Sequence, residues 1–144
     1  MILIAHRGNT KGRRPKRENS PSYVLEALSV GYHAEVDIWH QDDEFFLGHD
    51  SPEHKTSVKF LRNEKLWCHC KDVATLHAAI KNGLHCFFHQ TDDVVLTSKG
   101  HMWTYPGKDL ANGAICVMPE RATYTEEDLS RCMAICSDYV ERYK

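Results

Sequence analysis

Two groups of residues near the start of the chain could do chemistry. One is Ile4-Ala5-His6-Arg7-Gly8, and the other pairs Glu35-Val36-Asp37 with Leu47-Gly48-His49-Asp50. They supply two histidines, two carboxylates two residues apart and an arginine. Such a set can hold a metal ion, accept and donate protons and grip an anion. It therefore suits metal-assisted acid–base chemistry on a phosphate ester.

The surrounding sequence predicts strands that alternate with helices. Ser20 is typical of a helix N-cap, Pro21 of a first helical position and Gly31 of a helix end. Strands are predicted at 1–5, 34–39, 66–70, 84–89, 114–118 and 134–139, a short extended run at 44–47, a hairpin at 94–97 and 101–105, and helices at 73–81 and 126–133. This order predicts an α/β fold with about seven mostly parallel strands.

Polar residues occur at the predicted carboxyl ends of the strands, where sites of such folds lie. These residues are His6, Arg7, Glu35, Asp37, His69, Lys71, His89, Gln90, Glu120 and Asp138. Glu35 and Asp37 share one face of a strand, and two buried carboxylates persist best with a cation between them. The alternatives are an edge strand with both acids in water, a hydrogen-bonded core histidine at His69 and a surface lysine at Lys71.

Composition indicates an ordinary globular protein. The 144 residues, 42% hydrophobic and 26% charged, predict one domain over 1–144, and the net charge of −2 argues against a nucleic-acid partner. One stretch is basic without an acid: Arg7, Lys11, Arg13, Arg14, Lys16 and Arg17. It is either a solvated loop or a lip that attracts an anionic substrate.

No stretch predicts a signal peptide or a transmembrane segment, so we expect a cytoplasmic protein. Free thiols that pack as small core residues are then expected at Cys68, Cys70, Cys86, Cys116, Cys132 and Cys136. Their spacings lack the paired C-x-x-C of a structural zinc site.

The chain resembles the glycerophosphodiester phosphodiesterase family, which shares a superfamily with the phosphatidylinositol-specific phospholipases C. The resemblance rests on the motifs His6-Arg7-Gly8, Glu18-Asn19-Ser20, Glu35-Val36-Asp37, His49-Asp50 and the final run 134–139. It implies a (β/α) TIM barrel. The resemblance also implies that His6 and His49 form the acid–base pair and that Glu35 and Asp37 bind Mg²⁺ or Ca²⁺. It further implies that Arg7 and Lys71 bind the phosphate and that Glu18 lies at the site.

Two departures from the family pattern matter. His69 stands where the family usually has a glutamate that binds the metal, and an imidazole ligand suits a transition metal better. The chain is also much shorter than the roughly 200 to 250 residues of a usual barrel. We therefore expect a shortened barrel with missing or reduced helices between 84 and 114. Its bare side could be covered by a partner in a homo-oligomer.

The sequence favours a metal-dependent phosphodiesterase acting on a small phosphodiester, with His89 and Glu120 as further site candidates. A catalytically degenerate barrel that binds a phosphorylated small molecule or headgroup is the first alternative, because the third carboxylate is lost. The second is an interaction protein that uses Trp39, Trp67 and Trp103 as a partner surface.

Overall fold

A computed structural model, which describes residues 1–144, shows a mixed α/β fold with ten strands in one sheet. The strands are β1 (Ile2–His6), β2 (His33–Gln41), β3 (Glu44–Leu47), β4 (His54–Thr56), β5 (Leu66–Cys70), β6 (Cys86–Phe88), β7 (Val94–Leu96), β8 (Met102–Thr104), β9 (Ile115–Val117) and β10 (Ala134–Ser137). The helices are α1 (Pro21–Ser29), α2 (Val58–Leu61), α3 (Val73–Lys81) and α4 (Glu126–Ser130), with short 3-10 turns at Pro119–Arg121 and Val140–Tyr143.

Parallel pairing joins seven strands in the order β6-β5-β2-β1-β10-β9-β8. The expected total of about seven is too low, because β3, β4 and β7 add antiparallel pairs with β2, β3 and β8. The sequence analysis missed β4 and α2, which have only three and four residues. Elements this short leave almost no periodic pattern to read.

The sheet is not closed into a barrel, since β6 and β7 do not pair as strands. Hydrogen bonds of flanking residues bridge this side: the Ser98 N–H donates to the Cys86 carbonyl at 2.7 Å, the Ser98 hydroxyl accepts from the Cys86 N–H at 3.0 Å, and His85 Nε2 lies 2.9 Å from Thr97 Oγ1. Between β6 and β9 the chain forms the predicted hairpin and no helix. The expectation of missing helices between 84 and 114 is therefore confirmed.

The helix starts that the capping residues predict agree with the structure. The Ser20 side chain accepts from the Tyr23 N–H at 3.4 Å, and Asp72 caps α3 by accepting from Thr75 at 2.7 Å. The helix predicted over 126–133 is wrong at its end, because α4 stops at Ser130. The Arg131 carbonyl and the Met133 N–H bond instead to residues 113 and 114, which turns the chain into β10.

Side chains of β2 and β5 alternate between two environments. Val36, Ile38 and Cys68 pack with the residues under α1 and α3, whereas Trp67 lies on the opposite face with Phe87, Trp103 and Ile115. The register sets Glu35 opposite Trp67 and Asp37 opposite His69, so both carboxylates lie on that second face. All six cysteines are buried and unpaired. None of the four helices is long and apolar enough to cross a membrane.

Candidate active site

The predicted polar residues meet at the carboxyl end of the parallel strands. The register places His6 beside Glu35 and Asp37 beside His69. A cavity of about 360 Å³ opens here. Its walls are formed by His6, Arg7, Arg13, Glu35, His49, His69, Phe87, Trp103, Tyr105, Pro106, Val117, Met118 and Arg121.

Glu35, Asp37 and His69 form a cluster of possible metal ligands whose donor atoms lie within 4.8 Å of one another. His69 Nδ1 lies 3.1 Å from Asp37 Oδ1 and 3.9 Å from Glu35 Oε1. Both carboxylates are almost fully buried, at 2% and 0% exposure. This mixed oxygen and nitrogen donor set fits a divalent cation, and the imidazole favours a transition metal.

Asp37 is already well compensated by its neighbours. The Asn19 side-chain amide donates to Oδ2 and accepts from the Asp37 N–H, both at 2.9 Å. Arg7 Nε lies 3.0 Å from Oδ2, without hydrogen-bond alignment, and Lys71 Nζ lies 3.6 Å from Oδ1. Burial alone would raise the pKa of Asp37, but the His69 hydrogen bond and the Arg7 charge outweigh it and hold the pKa well below the usual value.

Glu35, by contrast, has no cation of its own. Its hydrogen-bond donor is the Arg7 backbone N–H at 3.2 Å, and His6 Nε2 lies 3.7 Å from Oε2. Burial and the neighbouring Asp37 raise the pKa of Glu35 well above its ordinary value. An ion held by Glu35, Asp37 and His69 would compensate this charge, which is the observation that fits a metal to this cluster.

His6 is held by a carboxylate that the sequence analysis gave no role. Its Nδ1 lies 2.7 Å from Asp138 Oδ1, which also accepts from Asn9 Nδ2 at 2.9 Å. Behind Asp138, Glu120 accepts from the Asp138 N–H and the Ser137 hydroxyl. Burial, together with the Arg7 charge, lowers the pKa of His6 although Asp138 acts to raise it. A neutral ring with Nδ1–H on Asp138 leaves Nε2 free to accept a proton.

His49 reaches the same cavity from the exposed loop after β3, with Nδ1 2.7 Å from Asp50 Oδ1. Gly48 ties this loop down, because its N–H donates to the Asp37 carbonyl and its own carbonyl accepts from Trp39 Nε1. A Cβ at Gly48 would lie 2.0 Å from the Ser51 carbonyl oxygen. Only glycine fits this turn without displacing the loop that carries His49.

The anion-binding candidates divide into two groups. Arg7 and Arg13 both bond to Glu18, at 3.2 and 3.3 Å, and both line the cavity, as does the half-exposed Arg121. Lys71 lies beside Asp37 and is not a wall residue. Within the basic stretch 11–17, only Arg13 faces the cavity.

The structure thus brings together eight predicted site residues: His6, Arg7, Glu18, Glu35, Asp37, His49, His69 and Lys71. His89 packs on Tyr105, and Glu120 supports Asp138 without lining the cavity. Nothing in the sequence singled out Asn9, Tyr105 or Arg121, whereas Asn19 was part of the Glu18-Asn19-Ser20 motif and Arg13 part of the basic stretch. Asp138 carried a usable signal, because it directly follows the last strand.

No protein-family model, no curated protein and no solved structure matches this chain.

Proposed function

We propose that this protein is a metal-dependent phosphodiesterase that hydrolyses a glycerophosphodiester-like substrate. One observation carries the proposal: His6, oriented by Asp138, shares a cavity with His49 beside the buried pair Glu35 and Asp37. The resemblance of these motifs to glycerophosphodiester phosphodiesterases supports the same reaction class.

His6 is the proposed general base. Asp138 holds its Nδ1, so Nε2 accepts the proton of the attacking hydroxyl as the new P–O bond forms. That hydroxyl is a water or a neighbouring hydroxyl of the substrate; the latter gives a cyclic phosphate that water then opens. Protonated His49, held by Asp50, gives its proton to the leaving alcohol as the old P–O bond breaks.

Charge on the phosphate is neutralised from two sides. Arg7, Arg13 and Arg121 line the cavity and retain N–H groups for phosphate oxygens. Glu35, Asp37 and His69 would hold a divalent cation, which supplies Lewis-acid stabilisation of the developing negative charge. Mg²⁺ and Ca²⁺ are the family's usual ions, and His69 makes a transition metal equally worth testing.

The scaffold we propose is a shortened TIM-barrel-like fold whose missing helices leave one side open. The unpaired edges of β6 and β7 are where a second copy of the chain would cover it. The six unpaired buried thiols support a reducing compartment, as expected of the cytoplasm.

The test is an assay of a chromogenic phosphodiester and glycerophosphocholine after chelation, with Mg²⁺, Ca²⁺, Mn²⁺ or Zn²⁺ restored separately. We expect metal-dependent turnover, and a fall in kcat/KM of about 10³-fold for His6→Ala. His77→Ala, on the exposed side of α3, is the matched control and keeps the wild-type rate. Equal rates for wild type and His6→Ala, or no effect of chelation, would reject the acid–base and metal roles.

A binding module for a phosphorylated small molecule is the second candidate. It is favoured by one observation, that Arg7 and Lys71 already compensate Asp37 without any metal. Tight binding of a phosphate ester in calorimetry, with no turnover under any of the four metals, would select it.

A further inference from the structure

Asn9 is a fully buried residue of the loop after β1, and the proposed chemistry assigns it no role. Its side-chain carbonyl accepts from the Tyr23 hydroxyl and from the Arg14 N–H, both at 3.2 Å. Its Nδ2 donates to Asp138 Oδ1 at 2.9 Å and to Glu18 Oε1 at 3.0 Å. An amide side chain has two N–H donors and two acceptor lone pairs, so every hydrogen bond that Asn9 can make is made within the protein.

The turn after β1 brings Asn9 into this position. Arg7 and Gly8 have positive φ angles of 53° and 88°, and the Asn9 N–H donates back to the His6 carbonyl at 2.9 Å. A Cβ at Gly8 would lie 3.0 Å from Cδ1 of Tyr23, so this close approach of the loop to α1 favours glycine. The reversal of the chain lets the Asn9 amide reach the carboxylate that follows β10.

One of the two acceptors, Asp138, holds the proposed general base. Its Oδ1 lies 2.7 Å from His6 Nδ1 and accepts from Asn9 at the same time, whereas the half-exposed Arg121 lies 3.7 Å from Oδ2. Hydrogen bonds weaken steeply when they lose their alignment, so rotation of the carboxylate would break the bond to Asn9. The Asn9 bond therefore holds the oxygen on which the orientation of the His6 ring depends.

The other acceptor, Glu18, holds two of the arginines that line the cavity. Its Oε2 accepts from Arg7 at 3.2 Å, and its Oε1 accepts from Arg13 at 3.3 Å and from Asn9. The Glu18 side chain is only 8% exposed, whereas that of Arg13 is 52% exposed. Glu18 is thus the fixed point that holds a mobile cation at the cavity, and Asn9 restrains Glu18.

Taking the phosphodiesterase function as its basis, we propose that Asn9 is a positioning residue that orients the general base and the phosphate-binding arginines together. Asn9, Asp138 and Glu18 do not line the cavity, so Asn9 acts through the two carboxylates and not on the substrate. Among side chains of this size, only asparagine has two N–H donors for two carboxylates.

The experiment compares Asn9→Ala, which removes both donors, with Tyr23→Phe. Tyr23→Phe is the matched control, because it removes a buried hydrogen bond to the Asn9 carbonyl and leaves both donors in place. Both variants should lower the melting temperature. Asn9→Ala should lower kcat about 10²-fold and weaken binding of inorganic phosphate in calorimetry about 10-fold. Tyr23→Phe should keep both quantities within about 3-fold of the wild type.

A second measurement does not depend on turnover. The Nδ1–H proton of His6, bonded to Asp138, should give a low-field proton resonance in NMR spectra, identified by its absence from His6→Ala. The resonance should persist in Tyr23→Phe and be lost from Asn9→Ala, where the released proton exchanges with water. If Asn9→Ala does not fold, Asn9→Asp replaces it, since aspartate keeps the acceptor for Tyr23 and lacks both donors.

These measurements separate the role of Asn9 from the proposed reaction. Loss of the resonance and of phosphate affinity in Asn9→Ala, with no turnover by wild type, would uphold the positioning role and reject the phosphodiesterase. Turnover by wild type with only one of kcat and phosphate affinity changed in Asn9→Ala would overturn the proposed link. Equal losses in Asn9→Ala and Tyr23→Phe would also overturn it, because a residue that serves stability alone predicts this result.

Discussion

Histidines gather at both ends of the parallel strands, but their partners differ. At the carboxyl end, His6 bonds to Asp138 at 2.7 Å and His69 to Asp37 at 3.1 Å. At the amino end, three histidines surround Trp67: His33 accepts from its Nε1 at 3.1 Å, and the His85 and His101 rings lie 4.3 and 5.6 Å away. The polar partner of His85 is a hydroxyl, Thr97 Oγ1 at 2.9 Å.

This difference separates His6, which we propose as the general base, from His85, which is packed. Burial lowers the pKa of both His6 and His85, so desolvation does not distinguish the two ends. A carboxylate partner distinguishes the two ends. It fixes the tautomer of the histidine and stabilises the imidazolium that forms when the ring takes a proton. The amino end has the histidines without the carboxylates, and we expect it to contribute stability and not catalysis.

The largest effect is expected from removing the carboxylate that holds His6 at the carboxyl end. Asp138→Asn keeps the shape but loses the charge that holds Nδ1–H of His6. We expect kcat to fall by about 10³- to 10⁴-fold with a small change in thermal stability. Steady-state kinetics and thermal unfolding on the same preparation measure both.

The matched change at the other end is Thr97→Val, which removes the partner of His85. It should cost about 1 to 3 kcal/mol of unfolding free energy and leave kcat unchanged. If Thr97→Val slows turnover as much as Asp138→Asn does, the distinction between the two ends fails.

A smaller effect is expected at Glu35, the carboxylate without a cation. At pH 8 and without metal, Glu35→Gln should raise the unfolding free energy. Burial and Asp37 oppose the ionisation of Glu35 in the folded state, whereas this carboxyl ionises freely in the unfolded chain. The variant should also lose the rise in melting temperature that Mn²⁺ gives the wild type. Glu26→Gln, an exposed glutamate of α1, serves as the control and should retain that rise. A full Mn²⁺ response in Glu35→Gln would remove Glu35 from the metal site.

The residues of the carboxyl end could be found from the sequence because they lie within or directly after predicted strands. Glu35 and Asp37 alternate within β2, and His6 ends β1, so periodicity alone put them on one face or at one edge. The sequence assigned no role to Asp138, because its contact with His6 spans 132 residues and depends on the parallel pairing of β1 with β10. Such pairing leaves no local pattern in the chain.

The amino end was harder to read for the same reason. No pattern in the sequence marks His33 and His101, which lie around the buried Trp67. Each precedes or begins a strand, where neither helical nor strand periodicity reports burial. The open edge between β6 and β7 could not be predicted from the sequence either. The length of the chain predicts a reduced scaffold, but it does not indicate which strands lack a neighbour.

The amino end should also give stability a pH dependence, with an effect comparable in size to that of Thr97→Val. Burial, with Lys99, His101 and His33 nearby, lowers the pKa of His85 to about 4. Between that value and the roughly 6.5 of the unfolded chain, the unfolded state binds more protons, so unfolding free energy falls as the pH falls. We expect His85 to account for about 2 kcal/mol of this loss. Denaturant titrations from pH 7 to 4 should show a shallower loss for His85→Asn, whereas His77→Asn on the exposed side of α3 should follow the wild type. If the unfolding free energy of His85→Asn falls with pH as steeply as that of the wild type, protonation of His85 does not destabilise the folded state. The amino end would then not be the neutral, packed region that its contacts indicate.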